Sequence, residues 1–203
     1  SQENTIPILY VNLVGGQDEL VFDGGSMAVN DQGEIIYQAA YFKEDTILVS
    51  VEKGSGGCTL TPRTQPASPL PNDRYYAHIY RALVLGVRDY IHKNNFNGAI
   101  IGLSGGIDSA LTLAIAYDAL GPEHLEVLSM PSRYTAEQSN TDAESMAATL
   151  KVAYQCVPIE PLFKPYLDVF DRHFSKHQQD IARENIQARI RGNLLMALSN
   201  MSG

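Results

Sequence analysis

The sequence predicts an α/β protein in which a doubly wound parallel sheet occupies the second half and a β-rich segment precedes it. Between residues 99 and 159, short apolar runs alternate with longer helical patterns in the order strand, helix, strand, helix, strand. This alternation favours right-handed crossovers in an open sheet. Over the first 52 residues the apolar runs are short and are separated by glycine pairs and turn signals, which indicates strands joined by tight turns.

The β-rich segment contains several candidate strands. We expect strands at 6–12, at 27–29 and 34–37 on either side of an Asn-Asp-Gln-Gly turn, and at 46–51. Three carboxylates, Asp18, Glu19 and Asp23, lie near a turn in this segment. On spacing alone, we interpret them as solvated turn residues in preference to an acid pair or a metal site.

A change of composition predicts the domain organisation. Gly, Ser, Thr and Pro dominate residues 53–72, and four prolines there disfavour any regular element. We therefore predict a first domain at 1–52, a linker at 53–72 and a second domain at 73–203. The second domain is expected to open with a helix whose aromatic residues, among them Tyr76 and Tyr90, face the core, while His78 has no partner.

The best-defined motif is a glycine-rich turn that follows an apolar strand and precedes a helix predicted at 110–120, which the Gly-Pro pair at 121–122 is expected to end. Glycines at 102, 105 and 106 allow the backbone to turn sharply and to approach a ligand closely. Unpaired N–H groups at the start of the helix attract an anion. The alternative, a solvated turn that caps a helix, is disfavoured because the strand and helix supply the context of a phosphate loop.

The polar residues of this turn predict a metal ion together with the phosphate. Ser104 and Ser109 add hydroxyl donors, but an aspartate, Asp108, stands where a Walker A loop has its lysine. Alone in a poorly screened site, this carboxylate would repel a polyphosphate by roughly a few kcal/mol. A bridging Mg²⁺ reverses the sign, because it takes carboxylate and phosphate oxygens together. We therefore predict a nucleotide and Mg²⁺, with Asp108 as the metal ligand.

Downstream, the sequence predicts two more strands and their helices. A strand is predicted at 125–129, and Met130 and Ser132 follow it. They are expected at the carboxyl ends of the parallel strands, where open α/β sheets bind ligands. Thr135 and Gln138 predict a capping box for the next helix, and a strand at 153–159 is expected to pack Cys156 inward. On the final helix, predicted at 180–200, Asn185 and Arg189 share a face, where they could grip an anion or form surface ion pairs.

Composition limits the classes of function. The net charge of −8, from 15 basic and 23 acidic residues, opposes general nucleic-acid binding. The two cysteines have no metal-ligand spacing, so we interpret both as free thiols in a reducing compartment. No run reaches the roughly 18 apolar residues that span a bilayer, and the first residues do not resemble a signal region. We expect a cytoplasmic protein that binds neither membranes nor nucleic acids.

The loop residues Ser-Gly-Gly-Ile-Asp-Ser at 104–109 resemble the pyrophosphate-loop signature of ATP pyrophosphatases. Segments at 82–90, 130–134 and 184–192 narrow this resemblance to the glutamine-dependent NAD synthetases. The string at 10–24 resembles the closing strands of the nitrilase-like glutaminase domain in the same family. The resemblance implies an adenine nucleotide alpha hydrolase-like fold, preceded by the end of a nitrilase-like domain.

The resemblance also implies a reaction. Deamido-NAD would be adenylated by ATP and then amidated by ammonia from glutamine, in an enzyme that forms homo-oligomers. It implies Asn185 as a ligand of deamido-NAD, ahead of Arg189, which we also assign to the substrate site. We assign no catalytic side chain. The residues expected to bind ATP are Gly102, Leu103, Ser104, Gly105, Gly106, Ile107, Asp108, Ser109, Met130 and Ser132.

Parts of the family pattern are not matched. The Glu, Lys and Cys of the glutaminase triad lie upstream of the matched string in the family, and Cys58 follows it, so we interpret Cys58 as an exposed thiol and not as the nucleophile. The family's Thr-Gly-Asn-Lys-Ser-Glu segment does not occur in the sequence. Two alternatives therefore stay open: another pyrophosphate-loop ligase, such as a GMP synthetase-like enzyme, and a fragment without turnover.

Overall fold

A computed structural model describes residues 2–54, 57–64, 74–173 and 179–202. The chain divides into two compact units, Ser1–Tyr90 and Ile91–Gly203. The domain bounds expected from composition, 1–52, 53–72 and 73–203, stay a prediction. Among the described helices, none is both long and apolar enough to cross a bilayer.

The N-terminal unit is built from short antiparallel strands. A three-stranded sheet has the order β1-β4-β5, and two separate hairpins are formed by β2 with β3 and by β6 with β7. The strands are β1 (Ile8–Tyr10), β2 (Val14–Gln17), β3 (Leu20–Asp23), β4 (Met27–Val29), β5 (Ile35–Gln38), β6 (Val49–Gly54) and β7 (Gly57–Pro62). The expected hairpin between β4 and β5 is confirmed, and the Asn30 side-chain oxygen accepts hydrogen bonds from the N–H groups of Gln32 and Glu34 in its turn.

The prediction that residues 53–72 hold no regular element is wrong for β7. This strand pairs with β6 along its whole length, and Pro62 stands at its last position, where a missing N–H costs little. Cys58 lies on this strand and is half-buried, so it is not the exposed linker thiol expected from the sequence. The prolines at 66, 69 and 71 lie outside the described residues.

Helix α1 (Arg74–Lys93) buries a different face from the one predicted. Tyr76 and Tyr90 are 73% and 59% exposed, whereas Leu85 is 2% exposed. The covered face carries Gly86, and a Cβ on Gly16 of β2 would lie only 3.3 Å from the Gly86 Cα. Because glycine allows this close approach, the helix packs on the β2–β3 hairpin at Gly86 and leaves Tyr76 and Tyr90 exposed.

Two side chains of this unit have partners that the sequence did not indicate. His78 Nε2 lies 3.1 Å from Asp23 Oδ2, and the imidazole ring contacts the rings of Tyr41 and Phe42 edge-on. The Asn12 side-chain amide donates to the same carboxylate. The expectations of an unpartnered His78 and a merely solvated Asp23 are therefore wrong.

The C-terminal unit is the predicted α/β sheet. Its parallel strands have the order β10-β9-β8. The strands are β8 (Ala99–Gly102), β9 (Leu125–Ser129) and β10 (Ala153–Cys156), and the helices are α2 (Ile107–Leu120), α3 (Glu137–Leu150), α4 (Glu160–His173) and α5 (Gln179–Ser202). Gly121 ends α2 with a positive φ of 83°, as the Gly-Pro sequence predicted.

Helices cover both faces of this sheet, which confirms the doubly wound class. Adjacent residues of β9 point to opposite faces, so Val127 and Leu128 are buried in different layers. Leu128 belongs to a cluster with Phe163 of α4 and Ile190 of α5. Helices α2 and α3 pack on the sheet with their own buried residues, Leu113, Ala116, Ala143 and Ala147.

Two local predictions in this unit are wrong. Helix α3 has Ala136 as its N-cap residue without a side-chain hydrogen bond, because the Thr135 hydroxyl instead accepts from the Ser132 N–H, 3.0 Å away. Gln138 donates to Asp142 and takes no part in a capping box. Cys156 is exposed on β10, at the edge of the three described strands, and does not pack inward.

Candidate nucleotide site

The glycine-rich turn connects the end of β8 to α2 and is held by its two serines. The Ser109 hydroxyl donates to the Gly106 carbonyl at 2.9 Å, so the hydrogen between the two serine oxygens, 3.1 Å apart, comes from Ser104. Ser109 Oγ also accepts from the Ser104 N–H, and Ser104 Oγ accepts from the Gly106 N–H. The serines therefore fix the shape of the loop from within.

Other N–H groups of the loop stay available. Helix α2 begins at Ile107, three residues before the predicted start, so its first turn contains Asp108 and Ser109. Within the described residues, the N–H groups of Gly105, Ile107, Asp108 and Ser109 donate to no oxygen. They lie at the positive end of the α2 dipole, where an anion is stabilised. These four N–H groups are therefore available to a ligand, and binding of an anion by the loop stays a prediction.

Asp108 lies in the first turn of α2 with its side chain exposed. Within the described part of the chain, its carboxylate makes no hydrogen bond or ion pair, although its carbonyl accepts from Thr112. No group of three potential metal ligands occurs among the described residues. A single exposed carboxylate is compatible with Mg²⁺, which is commonly held by one or two carboxylates together with substrate phosphates and water, and Asp108 as its ligand stays a prediction.

A cavity of about 410 Å³, here called the nucleotide pocket, adjoins the loop. It lies at the carboxyl ends of β8 and β9, where ligands bind in open α/β sheets. Its lining consists of Gly102, Leu103, Ser104, Leu128, Ser129, Met130, Pro131, Thr135, Asn140, Arg191 and Leu195. The structure thus brings together four of the predicted nucleotide residues, Gly102, Leu103, Ser104 and Met130. The Leu103 N–H donates to the Leu128 carbonyl, so Leu103 offers the pocket mainly its buried side chain.

A second cavity, here called the outer pocket, has a volume of about 440 Å³. It is lined by Ser132, Tyr134, Thr135, Arg183, Glu184, Gln187 and Arg191. The predicted residue Ser132 lies here, apart from the loop. Arg191 and Thr135 line both pockets, so the two cavities share a wall.

Arg191 is the cation that the structure places at this wall. Its Nε donates to the Met130 carbonyl at 3.0 Å, and burial lowers the pKa of its guanidinium below the ordinary value. The residues predicted from the sequence as substrate ligands were Asn185 and Arg189, and Arg191 was not among them. The missing signal was the helical spacing of 183, 187 and 191, which puts these residues on one face of α5.

Asn185 and Arg189 share a face of α5, as predicted, and Arg189 donates to the Asn185 carbonyl. Both side chains are exposed, and neither lines the nucleotide pocket or the outer pocket. Their role as substrate ligands therefore stays a prediction.

An ion pair joins the loops that follow β9 and β10. The Arg133 guanidinium donates to Oε1 of Glu160, the first residue of α4. This contact lowers the pKa of the Glu160 carboxyl and raises the pKa of Arg133. The pair ties the segment beside the outer pocket to the start of α4.

A larger cavity, about 680 Å³, lies in the N-terminal unit. It is lined by strand ends and by residues 39–40 and 43–46, with Lys43, Glu44 and Asp45 among its charged groups. None of the predicted nucleotide or substrate residues borders it, so the candidate site is the one in the C-terminal unit.

The structure combines an open α/β sheet with a glycine-rich loop at the carboxyl end of its first parallel strand, an arrangement typical of nucleotide-binding domains. The NAD synthase family model matches residues 79–203. The chain belongs to the NAD synthase family.

Individual relatives agree with this assignment. The glutamine-dependent NAD(+) synthetase of Synechocystis sp. is 46% identical over 198 residues, which is 98% of this chain and 35% of that protein. The structure of the glutamine-dependent NAD+ synthetase from Acinetobacter baumannii with adenosine diphosphate superposes with a TM-score of 0.87 at 40% identity, over 100% of this chain and 37% of that one. The structure of an NMN synthetase from Francisella tularensis superposes with a TM-score of 0.56 at 26% identity. The match covers 62% of this chain and 50% of that protein's chain. The chain spans little more than a third of the length of its first curated relatives.

Proposed function

We propose that this chain supplies the ATP-binding part of a glutamine-dependent NAD synthetase, which amidates deamido-NAD to NAD. The observation that carries the proposal is the set of loop N–H groups at Gly105, Ile107, Asp108 and Ser109, which are available beside a cavity large enough for an adenosine. The adenosine diphosphate bound to the Acinetobacter baumannii relative supports the same assignment.

In the proposed reaction, a carboxylate oxygen of deamido-NAD attacks the α-phosphorus of ATP, and the bond to the bridging oxygen of pyrophosphate breaks. Ammonia then attacks the acyl carbon of the adenylate, loses a proton and displaces AMP. The loop N–H groups would bind the β- and γ-phosphates and stabilise the charge that develops on the leaving pyrophosphate. The ammonia would come from glutamine through the glutaminase domain.

Asp108 would hold Mg²⁺ together with the phosphate oxygens. The ion would offset the repulsion between this carboxylate and the triphosphate and would neutralise part of the leaving-group charge. The exposed position of Asp108 in the first turn of α2 supports this role, because its carboxylate has no competing partner among the described residues.

The outer pocket would receive the second substrate. Arg191 gives its wall a positive charge, and a guanidinium pairs well with carboxylate or phosphate groups. Asn185 and Arg189 would complete this binding site beyond the cavity. A cytoplasmic location and assembly into a homo-oligomer are further parts of the proposal.

The proposal is tested by exchange of labelled pyrophosphate into ATP in the full-length protein with Mg²⁺. We expect deamido-NAD to stimulate the exchange more than nicotinic acid mononucleotide or xanthosine monophosphate. Stimulation by the mononucleotide would instead indicate the activity for which the Francisella tularensis relative is named, and stimulation by xanthosine monophosphate would indicate a GMP synthetase-like ligase. Absence of exchange with every acceptor would contradict an ATP-pyrophosphatase function.

A further inference from the structure

The nucleotide pocket has apolar and polar lining residues. Met130 and Leu195 border Gly102, since a Cβ there would lie 3.3 and 3.4 Å from their side-chain carbons. Ser104 and Asn140 line the same pocket near the phosphate loop, because Ser104 belongs to the loop and a Cβ on Gly105 would lie 2.1 Å from the carbonyl oxygen of Ser139, the residue before Asn140. If the triphosphate occupies the loop, the sugar, which is bonded to it, lies within reach of the residues beside the loop.

Most polar side chains that line the nucleotide pocket already make hydrogen bonds within the protein. Ser104 is bonded to Ser109 and Gly106, and Thr135 accepts from the Ser132 N–H. The half-buried Asn140, in the first turns of α3, differs from them. Within the described residues its side-chain amide makes no hydrogen bond, although it borders the pocket. Its donor and its acceptor are both available to a ligand.

We propose that Asn140 is a specificity-determining residue of the nucleotide pocket and recognises a ribose hydroxyl of ATP. The inference deepens the proposed function and rests on it. A hydroxyl is both a donor and an acceptor, which matches the adjacent N–H and carbonyl groups of an amide. A phosphate group only accepts hydrogen bonds, so it would leave the side-chain carbonyl of Asn140 without a donor. The backbone N–H groups of the loop are already available to bind the phosphates.

The test compares the affinities of ATP, 2′-deoxy-ATP and 3′-deoxy-ATP for the full-length protein and for Asn140→Ala, measured by titration calorimetry with Mg²⁺. We expect the substitution to weaken ATP binding about 5- to 10-fold, the equivalent of one hydrogen bond. One of the two deoxy analogues should bind parent and variant equally, because it already lacks the hydroxyl that Asn140 contacts. Thr141→Ala, one residue further along the same helix and exposed, should match the parent with all three ligands.

Each other outcome overturns the proposal. Equal ATP affinity of parent and Asn140→Ala means that the amide makes no ligand contact. An equal loss for ATP and both deoxy analogues means that Asn140 contacts the phosphates or the base, or shapes the pocket, and Asn140→Ser should then show the same uniform loss. If the parent protein binds no nucleotide at all, the proposed function fails as well, so the two failures are distinguishable.

Discussion

Gly105 of the phosphate loop lies so close to α3 that a Cβ at this position would be 2.1 Å from the carbonyl oxygen of Ser139. Gly105 also has a φ of +80°, in a region that other residues rarely adopt. The loop is thus fitted against the backbone of the helix that borders the nucleotide pocket, and both contact and conformation require glycine.

We expect Gly105→Ala to lower the free energy of unfolding by at least about 2 kcal/mol and to abolish measurable ATP binding. Urea denaturation and calorimetric titration measure the two effects. Gly106→Ala is the matched control, because Gly106 has a φ of −86° and its nearest neighbour to a new Cβ, Ser104 Oγ, is 3.4 Å away. Equal stability and binding in Gly105→Ala and the parent would show that the loop is not held as described.

Removal of the carboxylate of Asp108 separates metal binding from folding. Because this side chain is exposed, Asp108→Ala should unfold like the parent yet lose adenylation by at least about 100-fold, as expected when a group that stabilises the transition state is removed. Formation of AMP measures the loss. Glu144→Ala, an exposed carboxylate on α3, should retain the parent rate. Parent-like AMP formation by Asp108→Ala would refute the metal assignment.

Arg189 and Arg191 of α5 differ in whether they line the two pockets. Arg191→Lys removes the Nε hydrogen bond to the Met130 carbonyl and a guanidinium from both pockets. We expect the KM for deamido-NAD to rise about 10-fold, the typical effect of losing a charged hydrogen bond. Arg189→Lys should raise it less, because Arg189 lines neither pocket. The opposite ranking would favour the assignment made from the sequence.

The pH dependence of the Arg133–Glu160 pair has a definite sign. The guanidinium lowers the pKa of the Glu160 carboxyl from its ordinary value of 4.5, so the folded state binds this proton less tightly than the unfolded state. The pair therefore stabilises the fold above that ordinary value and stops doing so as the pH falls through the lowered pKa. In urea titrations, Glu160→Gln should be less stable than the parent at neutral pH and equal to it in strong acid. A difference that grows on acidification would contradict this sign.

The sequence predicted the features that depend only on residues close together in the chain. The apolar run of β9, the glycines of the loop and the Gly121 helix end each follow from backbone sterics or strand burial, and the structure agrees at each. The face of α1 could not be predicted in this way. Its aromatic residues have helical spacing, but Gly86 allows the hairpin to approach another face, and that contact is made by residues far apart in the chain.

The site was predicted in part for the same reason. The loop is a continuous motif, whereas the nucleotide pocket joins β8, β9, α3 and α5. Asn140 and Arg191 become neighbours of the loop only through tertiary packing. Helical spacing could have grouped Arg191 with residues 183 and 187, but no local pattern distinguishes Asn140 from an ordinary helix surface residue.

We propose that the available N–H groups of the loop bind the phosphate tail of ATP. An amide ¹H–¹⁵N titration of the protein with magnesium pyrophosphate tests this binding at the level of single groups. We predict saturable shifts that are largest at Gly105, Ile107, Asp108 and Ser109, and that disappear in Gly105→Ala. Binding of pyrophosphate without shifts at these four amides would refute the proposal.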